Sequence, residues 1–128
     1  MQSVQSLVDM CDRGCLYEMQ SRTSDDLGIC NGMMYFRDRE DPLMERILEK
    51  ALTNIEERVS PNVWSVTGPA VLRAVLARPD AEELLKNITI IDDDTFIRYF
   101  EPVYGLEYKK TDAHWFVARE SGINIFND

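Results

Sequence analysis

Apolar residues recur along this chain with more than one period. Val4, Leu7, Val8, Cys11 and Cys15 fall at helical spacing, which predicts an amphipathic helix over residues 3–19, with Gly14 a weak point in it. Ser21-Arg22-Thr23-Ser24-Asp25-Asp26 reads as a polar loop. Ile29 to Phe36 is apolar apart from Asn31 and Gly32, a length that suits a buried strand. Asp41 can then cap free backbone N–H groups, and Pro42 enters a first helical turn with φ already set. The helix they open carries one apolar stripe, Leu43, Ile47, Leu48, Ala51, Leu52 and Ile55, and runs to about Val59.

Ser60-Pro61-Asn62 breaks that helix, and Val63-Trp64-Ser65-Val66 reads as short and extended. Thr67-Gly68-Pro69 opens a second helix with Val71, Leu72, Val75 and Leu76 facing inward. Pro79-Asp80 ends it, and Asp80 with Glu83 resembles a capping box for a third, short helix through Lys86. Asn87 to Ile91 reads as a strand. Phe96 to Tyr108 is aromatic-rich and irregular, with Pro102 and Gly105 as breakers. These elements predict an α/β fold with a few strands and three or four helices. No repeat, low-complexity tract or linker divides the chain, so residues 1–128 read as a single domain.

Composition narrows the partners. The 128 residues hold 14 Lys and Arg against 23 Asp and Glu, a net charge of −9. That charge argues against nucleic acid and against adsorption to anionic membranes. It leaves room for a sugar nucleotide, whose negative charge a metal ion can offset locally. No run approaches the roughly 18 apolar residues of a membrane span. The start, Met1-Gln2-Ser3-Val4-Gln5, shows neither a basic nor an apolar leader region. The odd set of Cys11, Cys15 and Cys30 points to a reducing cytoplasm rather than a disulfide framework.

Trp64-Ser65-Val66-Thr67-Gly68-Pro69 is the most informative stretch. A Thr-Gly-Pro step before a helix places a hydroxyl and close backbone at a positive helix end, which suits an anionic or hydroxyl-rich ligand. Its plainer reading is an N-cap with Pro in the first turn. Asp92-Asp93-Asp94 follows an apolar strand; Asp92 and Asp94 could share a hard cation, or the run could be a solvated turn. Trp64, Tyr99, Phe100, Tyr104 and Trp115 could stack on a sugar or base, but core packing is the simpler role for most of them. The three cysteines match no common zinc module and read as buried structural thiols.

In order, the chain shows Ile29-Cys30-Asn31-Gly32-Met33-Met34, a Pro-opened helix, then Thr67-Gly68-Pro69-Ala70-Val71-Leu72. Ile88-Thr89-Ile90-Ile91, Phe100-Glu101-Pro102 and His114-Trp115 follow. Over residues 28–116 this series resembles the glycosyltransferases with a DXD sugar-binding region, a group that includes mannosyltransferases and bacterial capsule-type enzymes. The resemblance implies the C-terminal portion of a GT-A-like nucleotide-diphospho-sugar transferase, with residues 1–27 a helix and loop before it and 117–128 a tail. It implies transfer of a hexosyl group from a nucleotide-sugar to a glycan or other hydroxyl acceptor, with Mn²⁺ or Mg²⁺. It nominates Asn31, Thr67, Gly68, Pro69 and Trp115 for substrate and His114 for metal or diphosphate. On the residues alone His114 can equally sit at a strand edge beside Trp115. Where the family continues with a Ser-Trp pair, this chain has Ala118-Arg119. The family's DXD motif precedes the Asn-containing strand, and residues 1–28 hold no strand ending in Asp-x-Asp. The N-terminal half of such an enzyme is therefore expected to be missing. The alternative expectation is a non-catalytic remnant or interaction subunit that associates with itself or with a separate N-terminal half.

Overall fold

A computed structural model describes residues 1–19, 28–102, 106–110, 117, 120–122, 124 and 126. His114, Trp115, Tyr104, Asp25 and Asp26 lie outside the described residues, as does Ala118-Arg119. The described elements are α1 (Val4–Met10), β1 (Gly14–Met19), β2 (Gly28–Phe36), α2 (Pro42–Glu56), α3 (Val63–Val66), α4 (Pro69–Leu76), α5 (Ala81–Leu85), β3 (Ile88–Ile91) and α6 (Asp93–Phe96), followed by a 3₁₀ turn at Glu107–Lys110. The fold is mixed α/β, with helices around a three-stranded sheet of order β2-β1-β3. Among the described residues no helix is long and apolar enough to cross a membrane.

The single helix expected over residues 3–19 is instead a helix and a strand. Ser3 caps α1 by accepting from the Ser6 N–H at 3.2 Å, and the helix ends at Cys11, whose backbone is extended. Gly14–Met19 then forms the central strand, antiparallel to β2 and parallel to β3. Cys15 and Leu16 are both fully buried, one toward each face of the sheet. Two adjacent buried residues suit a strand covered on both faces. Gly14 is demanded by this packing, because a Cβ there would lie 2.6 Å from the Tyr35 carbonyl oxygen.

Each face of the sheet carries its own core. Leu16, Leu43, Ile47, Val71, Leu72, Val75 and Leu84 pack where α2, α4 and α5 cover one face. Leu7, Cys11, Cys15, Ile91 and Tyr99 pack on the other, under α1 and α6. Tyr17, Phe96 and Phe100 stack in series beside this second core, with ring centroids 4.3 and 4.7 Å apart. Tyr99 is core, as its spacing suggested.

Arg13, just before β1, ties the start of α2 to the end of α5. Its guanidinium pairs with Asp41, which is almost wholly buried, and donates to the carbonyls of Leu84 at 2.8 Å and Lys86 at 2.6 Å. Asp41 is also the N-cap of α2, accepting from the Leu43 N–H at 2.8 Å. Burial pushes the Asp41 carboxyl up, but the Arg13 hydrogen bond and the Leu43 and Met44 N–H groups outweigh it and hold it below its ordinary value.

Two other expectations are corrected by local geometry. Val63–Val66 is a helical turn, not an extended segment: Asn62 caps it at Trp64 N–H, and the Thr67 and Gly68 N–H groups both return to the Val63 carbonyl. The capping box at Asp80 and Glu83 does not form, since the Asp80 carboxylate turns to Arg78 at 3.1 Å and makes no cap hydrogen bond. The stripe on α2 is core only in part: Leu43 and Ile47 are buried, whereas Leu48, Leu52 and Ile55 are 49%, 58% and 42% exposed.

Candidate functional site

The residues singled out at Asn31 and at Thr67-Gly68-Pro69 are 36 positions apart in sequence and meet in space. Asn31 owes its position to an irregularity in β2. Along β1 the partner of Leu16 is Met34, but the partner of Tyr17 is Cys30. Asn31, Gly32 and Met33 therefore bulge out of the ladder, the kind of insertion that re-aims a side chain. Asn31 Nδ2 then donates to the Thr67 carbonyl at 3.0 Å. This bond fixes the sheet edge against the loop between α3 and α4.

The Thr-Gly-Pro step forms a corner rather than a hydroxyl cap. Gly68 is the N-cap of α4 and Pro69 its first helical residue, while Thr67 is exposed beside them. Gly68 has an ordinary φ of −86°, so the left-handed region is not the reason for glycine. The reason is close approach: a Cβ would lie 2.7 Å from both Cα and the carbonyl oxygen of Trp64. Asn54 holds the corner from behind. It is buried inside α2 and donates to the carbonyls of Ser65 at 3.2 Å and Val66 at 3.1 Å.

Together these parts wall an open groove of about 630 Å³, lined by Met19, Cys30, Asn31, Trp64, Thr67 and Pro69 among others. That volume falls in the range of small-ligand sites. Trp64 is half-buried along the groove, so part of its ring is available for stacking. The Arg73 guanidinium lies 5.1 Å from the Trp64 ring centroid and lines the adjoining end of the groove with Gly28 and Ile29. The arrangement offers an apolar ring face, an amide, a hydroxyl and a cation within one concavity.

The remaining candidates among the described residues lie elsewhere. Asp92 and Asp94 are exposed at the end of β3. Asp92 caps α6, accepting from the Thr95 N–H at 2.8 Å, and hydrogen bonding from the Thr95 side chain first, then from that N–H, holds its carboxyl below the ordinary value. Asp93, between them, accepts from the Tyr17 hydroxyl at 2.6 Å. Among the described residues no three His, Cys, Asp or Glu side chains lie together where they could hold a metal ion. The three cysteines are free and buried. Burial, with Cys11 beside it, pushes the Cys15 thiol up to about 12, which leaves it protonated and unreactive at neutral pH.

Arg73, Asn54 and Met19 were not singled out by sequence. Arg73 had a signal, being four residues beyond Pro69 and so on the same helix face. Asn54 had a weaker one, a polar residue among the apolar positions of α2. Comparison with known protein families, curated proteins and solved structures finds no match to this chain.

Proposed function

We propose that the groove between β2 and α4 is the sugar-nucleotide end of a glycosyltransferase-like site, and that the chain is the C-terminal portion of a GT-A-like fold. The observation that carries this reading is the meeting of Asn31 with Thr67-Gly68-Pro69 at one groove. The Trp64 ring would stack on the apolar face of a sugar or a base. The second Asn31 N–H and its amide oxygen would bind hydroxyls, as would Thr67. Arg73 would place positive charge near a departing diphosphate, where stabilising developing charge contributes most to transfer. The resemblance implies a divalent cation for the same purpose, and His114 with Trp115 at the diphosphate end. The acceptor is a glycan or other hydroxyl compound.

The test is thermal unfolding of the 128-residue chain with UDP- or GDP-sugars, with and without Mn²⁺. A donor at 100 times its dissociation constant should add about 2.7 kcal/mol to stability. Asn31→Ala and Trp64→Ala should remove that gain while still unfolding cooperatively. A transition that no donor moves would overturn the reading that this chain alone holds the site.

A second reading rests on a different observation. Leu48, Leu52 and Ile55 form an exposed apolar row on α2, with exposed Val59 just beyond its end. Such a row suits a subunit that associates with another copy or with a separate N-terminal half.

A further inference from the structure

A second concavity lies on the other flank of α4. Pro69 and Arg73 face β2 and the groove, whereas Ala74, Val75 and Arg78 face α2. Between them and Arg46, Glu49, Lys50 and Thr53 of α2 is a cleft of about 340 Å³. Arg46 and Lys50 are one helical turn apart, so α2 presents both to the cleft, and Arg78 meets them from the turn just after α4. Three cations therefore converge from α2 and the turn after α4 in a chain whose net charge is −9.

Two of the three are held in place. Arg46 pairs with Glu49 at 3.0 Å and Arg78 with Asp80 at 3.1 Å. The Asp80 carboxyl is held below its ordinary value by the Arg78 hydrogen bond, with a smaller pull from Arg46 across the cleft. Lys50, half-buried between the two pairs, has no ion pair or hydrogen bond among the described residues. Three cations against two carboxylates leave the cleft positive.

We propose that this cleft binds the phosphate group of a small soluble ligand. Guanidinium forks and an ammonium arriving from separate directions suit a phosphate's several oxygens better than a single carboxylate. The volume is at the small end of ligand sites, which fits a compact anion. The acidity of the rest of the chain opposes a polyanionic surface such as a membrane. The site stands apart from the groove and does not depend on the reading of it.

The test is a titration of the whole chain with sodium phosphate and with pyrophosphate at constant ionic strength, followed by amide ¹H–¹⁵N spectra. Signals of residues 46–53 and 74–78 should move saturably. Lys50→Gln and Arg78→Gln should each weaken binding about tenfold or more, the loss expected for one charge-assisted hydrogen bond. Neither residue is in a core, so both variants should keep the parent spectrum elsewhere. Linear, unsaturable shifts, or equal binding by the variants, would reduce the effect to screening and overturn the proposal. So would signals that move at Asn31 and Trp64 instead, or binding to phosphatidic-acid vesicles without binding to either free anion.

Discussion

Glycine at position 68 is fixed by contact, not by backbone angle. The loop between α3 and α4 passes so close to Trp64 that any side chain would meet main-chain atoms, which cannot rotate away. Gly68→Ala is expected to cost about 1–3 kcal/mol, the usual range for forced overpacking. Chemical denaturation would read this as a lower midpoint with an unchanged slope. Because the same atoms set where Trp64 faces the groove, the variant should also weaken any groove ligand by more than its stability loss explains. Asn31 was legible in sequence as a polar interruption of an apolar run. Its aim was not, because a bulge is defined by the register of two strands rather than by one of them.

At the scale of elements, α2 is the most instructive. Its start was readable from Asp41-Pro42, a cap followed by a residue of preset φ, and both are local signals. The partner that makes Asp41 worth burying, Arg13, lies 28 positions earlier and carries no local mark. Asp41→Asn would leave the guanidinium beside an uncharged group. It is expected to cost about 3 kcal/mol, the low end for breaking a buried pair, since Arg13 remains a quarter exposed. Proton linkage gives a second test. The folded-state value of Asp41 is depressed, so its contribution is fully present above the ordinary aspartate value, about 3.9. It is lost as pH falls through the lower folded value. Wild type should lose stability below about pH 4 more steeply than Asp41→Asn, as urea midpoints across pH 2–6 would show.

For the whole molecule, β2 and β3 are the outer strands of the sheet among the described residues, and α2 leaves an apolar row in solvent. Unpaired edges and apolar patches both favour association. If the row on α2 is an interface, sedimentation of the chain should show a concentration-dependent oligomer. Leu52→Glu, at a position 58% exposed, should shift it to monomer without lowering the unfolding midpoint of the monomer. A monomer at all concentrations would leave the second reading with a heterologous partner only.

Sequence by itself determined the α/β class, the strands β2 and β3, and the starts of α2 and α4. These depend on caps, prolines and periodicity that act within a few residues. It also brought forward Asn31 and Thr67-Gly68-Pro69. Only the tertiary structure decided that Gly14–Met19 is a strand. Cys11 and Cys15 have helical spacing, but pairing with β2 and β3 on both sides outweighs that local preference. Tertiary structure likewise decided that Asn31 meets Thr67 and that Arg46, Lys50 and Arg78 share a cleft. Each depends on segments far apart in the chain being packed by two cores, and no short window of sequence contains both sides of such a contact.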